Sequence, residues 1–355
     1  MRLWVEQVSE DDRDLWNEWV SSHPESHFYD LWEWGDILST TYNYQRYYFA
    51  VKSKEGIVGV FPLVHIRGRI FESKLVSLPF CEYGGPLLSS SSNPSTVDAA
   101  SRLLLKLISK MMSKLKTDYT EVRQPSIPLS TYGFFPIKRY LTFRVKLSEG
   151  EAQVWRGMNK KCRNAIRKSA KSGVKVLTVD ETHMKYYYSL YLDTEKRHGS
   201  PPHSEAMFIN IFNVLKEKGL AQIALAIYDG RAIGGVIVFC FNGKMYWWNN
   251  VTDRKYGSLN PTNSLLWHII QWGARNSFTM FDLGRTRYET RGIYDFKNSW
   301  GGERCALEDY VFATKKVRPP DPFQRRYVYL SKMWSKLPFI VAQQMGPRII
   351  KEIGL

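Results

Sequence analysis

Apolar and polar positions alternate over residues 2–7, the two-residue period of a strand. Over residues 10–23 they change to a helical period that brings Leu15, Trp16 and Trp19 to one side. Residues 31–38 predict a second short helix. Strand-like runs at 47–52 and 56–66 flank Ser53-Lys54-Glu55-Gly56, a sequence suited to a hairpin turn. A further strand at 74–79 runs into Phe80-Cys81-Glu82-Tyr83-Gly84-Gly85-Pro86, and residues 89–96 read as a polar loop. Residues 97–116 predict an amphipathic helix with Leu103, Leu104, Leu107, Ile108, Met111 and Met112 on its buried side. Strands near 119–122 and 140–147 close the first half.

The second half repeats that order of elements. A long helix is predicted over residues 150–172, stopped by Gly173. A strand at 174–179 and helices at 183–198 and 205–218 follow. Three strand-like runs, 221–228, 232–241 and 244–251, form a meander with turns at Asp229-Gly230 and Asn242-Gly243, the latter a strong hairpin signal. Next come a helix over 261–275, capped by Asn260 with Pro261 in its first turn, and strands at 278–283 and 306–313. Helices, an antiparallel meander, a helix and a strand, twice over, make an α+β pattern. The division this predicts is a first domain at 1–148 completed by a strand near 306–314, a second at 149–305, and a tail at 315–355.

Composition adds charge to this picture. The 355 residues carry a formal net charge of +16, which points to an anionic partner: RNA, a phosphorylated cofactor or an anionic membrane surface. Aromatic content is high, with 12 Trp and 21 Tyr, which favours clefts and interfaces as well as cores. Cys81, Cys162, Cys240 and Cys305 lack metal-ligand spacing and read as reduced thiols of a cytosolic protein, with no metal expected. The first residues do not read as a signal peptide, and no apolar run predicts a membrane span. Past Pro319-Pro320-Asp321-Pro322 the tail mixes Tyr329, Leu330, Trp334, Leu337, Phe339 and Ile340 with Arg325, Arg326, Lys332, Lys336, Arg348 and Lys351. Such a segment either lies on a membrane or a partner, or packs back on its own domain.

Three stretches carry candidate chemistry. Phe281-Asp282-Leu283-Gly284-Arg285 ends an apolar run at a Gly-Arg turn, and residues 291–302 interleave Tyr294, Phe296 and Trp300 with Arg291, Asp295 and Lys297. That mixture suits a partly dry site where cations meet anionic or developing negative charge, or an ion-pair network covering the core edge. Between Arg156 and Lys171 stand seven basic residues and no acidic one. Lys160, Arg163, Arg167 and Lys171 fall on one stripe, opposite Trp155, Met158, Cys162 and Ile166. The stripe fits phosphates, or is a solvated face. Before the helix at Pro261, Arg254-Lys255-Tyr256-Gly257-Ser258-Leu259 matches in Arg254 and Gly257 the loop by which GNAT acyltransferases hold the pyrophosphate of coenzyme A. Leu259 and Asn260-Pro261 depart from it.

Several segments together resemble the FemAB-like proteins. Lys74-Leu75-Val76-Ser77-Leu78-Pro79-Phe80 with Tyr83-Gly84-Gly85 is similar to their first-domain signature. Asn159-Lys160-Lys161-Cys162-Arg163-Asn164-Ala165-Ile166-Arg167-Lys168 resembles the basic helix that opens their second domain, and Thr194-Glu195-Lys196-Arg197-His198-Gly199 a later segment of it. Phe281-Asp282-Leu283-Gly284-Arg285 and Tyr294-Asp295-Phe296-Lys297-Asn298-Ser299-Trp300-Gly301 are similar to its end, and Phe296-Lys297 matches the family's Phe-Lys pair. The tail, with Trp334-Ser335-Lys336-Leu337-Pro338 and Gly346-Pro347, looks like the subgroup associated with surface-polysaccharide and exosortase gene neighbourhoods.

The resemblance implies a tandem GNAT-like fold whose last strand returns to the first domain. It implies transfer of an acyl or aminoacyl group to an amine, the best-known members using aminoacyl-tRNA to build peptidoglycan cross-bridges. Two family features are missing: the tRNA-binding coiled-coil arm, and a lysine after the first-domain tryptophan, since Leu38 stands four residues after Trp34. No Ser-His-Asp or Cys-His signature is present, which suits direct attack without a covalent enzyme intermediate. On this reading Lys297, between Phe296 and Trp300, stabilises the oxyanion or the donor's phosphate-bearing leaving group. Asp282 or Asp295 takes the amine proton or anchors Arg285, and Tyr83 and Arg197 position the acceptor. Lys160, Arg163 and Arg167, with Arg254 and Gly257, bind the phosphates of the donor, aminoacyl-tRNA or acyl-CoA. The acceptor is a lipid-linked or nucleotide-linked envelope precursor, and the protein is expected in the cytoplasm or peripherally at the inner membrane face. An acyl-CoA-dependent N-acetyltransferase of an amino sugar, or a non-catalytic RNA- or membrane-binding relative, is the alternative.

Overall fold

The N-terminal alternation becomes β1 (Trp4–Gln7) and the first helical run α1 (Arg13–Ser22). Trp16 is buried there, whereas Leu15 points out at 49 % exposure, because Trp16 and Val20 alone supply that helix's buried positions. The structure is a computed structural model describing residues 2–89, 93–313, 321 and 324–354. Ser90, Ser91 and Ser92 of the expected polar loop, and Pro319, Pro320 and Pro322 of the expected break, lie outside the described residues.

The chain forms two compact units: residues 1–138, 308–321 and 348–355, and residues 139–307 and 322–347. The first holds α2 (Trp32–Tyr42), the hairpin β2 (Gln45–Ser53) and β3 (Gly56–Ile66), then β4 (Lys74–Val76), β5 (Leu87–Leu88), α3 (Pro94–Leu115) and β6 (Tyr119–Val122). Its strand order is β1-β2-β3-β4-β6, with β5 on β3, and Tyr310, Val311 and Phe312 pair β6 from the other side. The apolar side of α3 (Leu104, Ile108, Met111, Met112) closes a core with Phe49, Phe61 and Leu75.

The end of the chain is anchored in this unit. Lys74, 1 % exposed, donates from Nζ to the Ile353 carbonyl at 2.7 Å, and Arg123 Nη2 donates to the Gly354 carbonyl at 2.7 Å. The Glu352 carboxylate accepts the N–H groups of Arg69 and Ile70, both at 2.9 Å. Burial pulls the Lys74 ammonium down to about 8, against the pull of Glu121. The last residues of the tail are therefore packing elements.

The second unit contains most of β7 (Phe135–Lys146), then α4 (Glu151–Gly157), α5 (Lys160–Lys171), β8 (Lys175–Thr178), α6 (Met184–His198) and α7 (Glu205–Ile211). The meander β9 (Ala221–Tyr228), β10 (Arg231–Phe241) and β11 (Lys244–Thr252) follows, with α8 (Pro261–Arg275) and β12 (Met280–Asp282). Beyond these come β13 (Thr286–Arg287), α9 (Arg291–Asn298), β14 (Glu303–Phe312), α10 (Arg325–Trp334) and α11 (Phe339–Ile353). The strand order is β7-β12-β11-β10-β9-β8, antiparallel except for β11–β12, and β13 pairs β7. Both meander turns place two successive residues at positive φ, Asp229-Gly230 at 48° and 70° and Asn242-Gly243 at 46° and 67°, as two-residue hairpins require. α5 and α8 cover one side of a core that includes Cys162, Ile166, Val236, Val238, Leu265, Ile269 and Trp300.

The long helix expected over 150–172 is two helices. Met158 leaves the helical region (ψ 148°), and Asn159 restarts it as an N-cap, its side chain accepting the Cys162 N–H at 2.8 Å.

Candidate active site

Asp282 closes β12 and shapes the turn behind it. Its Oδ1 accepts the Gly284 N–H at 2.8 Å and the Thr142 hydroxyl at 2.5 Å, and its Oδ2 lies 3.4 Å from Arg144 Nε. A carboxylate holding the amide two residues on is an Asx turn, and Gly284 completes it at φ 74°, a conformation that costs glycine little. The Gly284 carbonyl is then held by Thr142 Oγ1 (3.1 Å), Thr286 Oγ1 (3.4 Å) and Lys297 Nζ (2.9 Å). Lys297 also donates to the Arg285 carbonyl at 3.1 Å.

Lys297 reaches that turn from α9, where the sequence reading places no helix. The lysine is 7 % exposed, and its ammonium stands 5.2 Å from the centre of the Trp247 ring. Phe296 meets Trp247 and Trp300 edge-on, each at 6.2 Å. Trp300 is 1 % exposed, and its indole N–H finds no hydrogen-bond partner among the described residues. The segment behind α9 is fixed on the break between α4 and α5: the Ser299 carbonyl accepts the Asn159 N–H at 3.0 Å, and a Cβ on Gly301 (φ 77°) would stand 2.4 Å from the Gly157 oxygen. Asp295 is exposed, 3.8 Å from Arg291, on another side of the same helix.

The backbone brings these groups to one place. β11 and β12 pair only from Lys244–Met280 to Tyr246–Asp282, while β11 runs on to Thr252. Trp247 is the first residue past the last pair, so Lys297, Trp247 and the Gly284 turn sit where the two strands part. The register of β11 on β10 shifts opposite Ile237 and Val238, leaving Trp248 as an extra residue. The bulge turns Trp248 and Asn249 toward α6 and α7: Trp248 lies 6.0 Å from Phe208 and 6.1 Å from His203, and the Tyr187 hydroxyl donates to Asn249 Oδ1 at 2.7 Å.

The end of α6 borders the far end of β11. Arg197 donates to the Thr252 carbonyl at 2.8 Å and to Thr194 Oγ1 at 3.1 Å, and pairs with Asp193 at 3.3 Å. Two residues before it, half-buried Glu195 has its carboxyl pushed up to about 7 by burial, against the pull of a Ser200 hydrogen bond and of Arg197. The sequence reading does not single out Glu195, since its perturbation is tertiary. Arg285 lies 4.5 Å over the Tyr140 ring. Tyr83 belongs to the first unit, where it is fully buried and stacked 3.9 Å from His27.

The basic helix is less uniform than its sequence. Arg163 turns back and donates to the carbonyls of Met158 (2.6 Å), Arg156 (3.2 Å) and Trp155 (3.3 Å), capping α4. Lys160, Lys161, Arg167, Lys168 and Lys171 remain exposed, Arg167 over the Trp155 ring at 5.1 Å. The loop at 254–259 is a helical turn whose amides are partly engaged: the Asp253 carboxylate accepts from Lys255 N–H, the Asp253 carbonyl from Tyr256, and the Gly257 carbonyl from Asn260. Gly257 has no positive φ, and a Cβ there would meet no atom within 4 Å, so no close approach demands glycine. Among the described residues no cluster of His, Cys, Asp and Glu could hold a metal.

Residues 156–298 match the family model for the acetyltransferase (GNAT) domain. No curated protein sequence matches the chain. Among solved structures it is similar to FemX, with a TM-score of 0.69 at 14 % identity over 94 % of this chain and 100 % of that one. It is also similar to the C-terminal domain of a putative lysylphosphatidylglycerol synthetase from Agrobacterium fabrum, with a TM-score of 0.57 at 10 % identity over 98 % and 99 %. A tandem GNAT protein from the clavulanic acid biosynthesis pathway gives 0.55 at 11 % identity over 89 % and 100 %. The architecture is a tandem GNAT-like α+β fold with helices at the C-terminus, the match to the acetyltransferase (GNAT) domain lies within the second unit, and the FemAB-like resemblance holds in the fold.

Proposed function

We propose that this acyltransferase moves an aminoacyl or acyl group onto an amine of a cell-envelope or surface-glycan precursor, lipid-linked or nucleotide-linked. The observation that carries the reading is Lys297: a buried cation held on two backbone carbonyls where β11 and β12 part, inside the GNAT match. A donor carbonyl lodged in that gap has Lys297 beside it. The amine attacks the carbonyl carbon and forms the C–N bond. The amine sheds its proton on attack, with Glu195 at the acceptor end of α6 as the proposed acceptor, and the developing oxyanion meets the ammonium. Collapse of the tetrahedral intermediate breaks the bond to the ester oxygen or thioester sulfur. Asp282 holds the turn that holds Lys297, so it acts as a positioning residue, and exposed Asp295 has no part in these steps. Arg197 and the bulged Trp248-Asn249 pair border the acceptor's approach.

Aminoacyl-tRNA is the donor this reading favours. In the 254–259 turn the Lys255 and Tyr256 amides are already engaged by Asp253, whereas Lys160, Lys161, Arg167, Lys168 and Lys171 offer exposed charge on one helix. The shared fold with a domain named for lysylphosphatidylglycerol synthesis is consistent with aminoacyl transfer to a lipid-borne acceptor. Acyl-CoA-dependent N-acetylation of an amino sugar is the second reading, supported by the acetyltransferase description of the matched family.

Lys297→Met tests the site. Its carbonyl partner on Gly284 keeps the Thr142 and Thr286 hydroxyls, so the turn survives the change. We expect kcat to fall by about a hundredfold or more with little change in donor affinity or Tm. A raised KM at normal kcat would make Lys297 a binding group. Normal kinetic constants with a lowered Tm would make it structural.

A further inference from the structure

Of the sixteen large apolar side chains exposed among the described residues, seven fall between Val328 and Met345. They are not on a loose segment. α10 is fixed to the end of α6: Ser331 Oγ donates to the His198 carbonyl at 3.2 Å, and a Cβ on Gly199 would stand 2.4 Å from the Ser331 oxygen. Trp334 is 9 % exposed. The other side of the helix presents Tyr329 (65 %), Leu330 (49 %) and Met333 (51 %), and Phe339 (42 %) and Ile340 (67 %) follow at the start of α11. A helix of a soluble unit ordinarily turns polar residues outward, so an anchored helix with an apolar outer side needs something to cover it.

Charge identifies the cover. Residues 322–347 contain Arg325, Arg326, Lys332 and Lys336 and no Asp or Glu, in a chain of net charge +16. Exposed lysines flanking an aromatic-aliphatic strip are the arrangement of a helix lying in an anionic interface, with apolar side chains among the acyl chains and ammonium groups at the headgroups.

We propose that α10 and the first turn of α11 dock this unit on an anionic lipid surface. The helix adjoins His198-Gly199, next to Arg197 and Glu195, so docking sets the acceptor end of the site at the headgroup layer and favours a lipid-borne amine as acceptor. That last step rests on the proposed transfer reaction; the docking itself does not.

The test uses the full chain and vesicles of phosphatidylcholine with and without phosphatidylglycerol, read by co-sedimentation, with light scattering for oligomeric state. The intact protein is expected on the phosphatidylglycerol vesicles only. Lys332→Gln/Lys336→Gln should weaken binding at low salt by about fivefold per lysine, an effect that high salt abolishes. Tyr329→Ser/Leu330→Ser/Met333→Ser should weaken it by at least about tenfold at unchanged Tm, since all three side chains are exposed. Failure of the intact protein to bind, binding by both variants as tight as that of the intact protein, or a dimer that the apolar variant dissolves without vesicle binding would overturn the proposal. Vesicle binding without acyl transfer from any donor would leave the docking surface standing and remove the transfer reading.

Discussion

At the residue scale, the proposed chemistry rests on two groups whose environments differ. Lys297 is buried and its Nζ donates to two carbonyls, and an ammonium held there concentrates positive potential in a place with little water to screen it. Glu195 is a carboxyl raised to about 7, a value suited to a base near neutral pH. The acid limb of kcat/KM should therefore rise through about pH 7, and Glu195→Gln should flatten it and lower the plateau. Stability gives an independent check of sign. A carboxyl with a folded pKa above its unfolded 4.5 favours the folded state when protonated, and that contribution is lost as pH rises through about 7. Glu195→Gln should thus raise Tm at pH 8 and leave it unchanged at pH 4, and the opposite trend would show that the carboxylate is held by partners. Phe296, Lys297 and Trp300 were legible as a cluster from their spacing. The turn after Leu283 was legible, but the part played by Asp282 was not: the sequence reads it as a base or an anchor for Arg285, whereas it holds the Gly284 amide, and which backbone group the turn presents depends on α9. Glu195 stood inside the segment 194–199, but its raised pKa was not legible there, because burial in the fold creates the shift against the pull of Ser200 and Arg197.

At the scale of elements, turn chemistry read well. Asn242-Gly243 and Asp229-Gly230 need positive φ twice in succession, and few other residue pairs supply it. Periodicity failed where a cap interrupted it. Residues 150–172 keep one apolar side through the break, so the signal lies in Asn159 alone, whose side chain caps α5. α9 escaped notice because its inward residue is a lysine. The same break decides what the basic helix does. Arg163 caps α4, so replacing it should cost stability, whereas Lys160, Arg167 and Lys168 are exposed. Lys160→Gln/Arg167→Gln/Lys168→Gln should weaken tRNA binding and lower its salt slope by roughly one unit per lost phosphate contact. An unchanged slope and affinity would leave that helix a solvated face.

At the scale of the whole molecule, two units recur in α+β order, and the tail contributes to both. Residues 348–355 belong with the first, where Lys74 and Arg123 bond the carbonyls of Ile353 and Gly354, and residues 322–347 with the second. Removing the whole tail would leave two buried cations without these partners, each loss costing on the order of 1–3 kcal/mol, so surface substitutions on α10 are the sounder probe of its outer side. Among the described residues no helix is long and apolar enough to cross a membrane. The central claim is acyl transfer from a charged tRNA to an amine. Its most direct test incubates the full chain with aminoacyl-tRNA, and separately with acyl-CoA, in the presence of amine-bearing lipid-linked and nucleotide-linked precursors, and weighs the precursors by mass spectrometry. The account predicts a gain of one aminoacyl residue from the tRNA donor, strongly reduced for Lys297→Met. An acyl gain from acyl-CoA alone, or no gain from either donor, would contradict it.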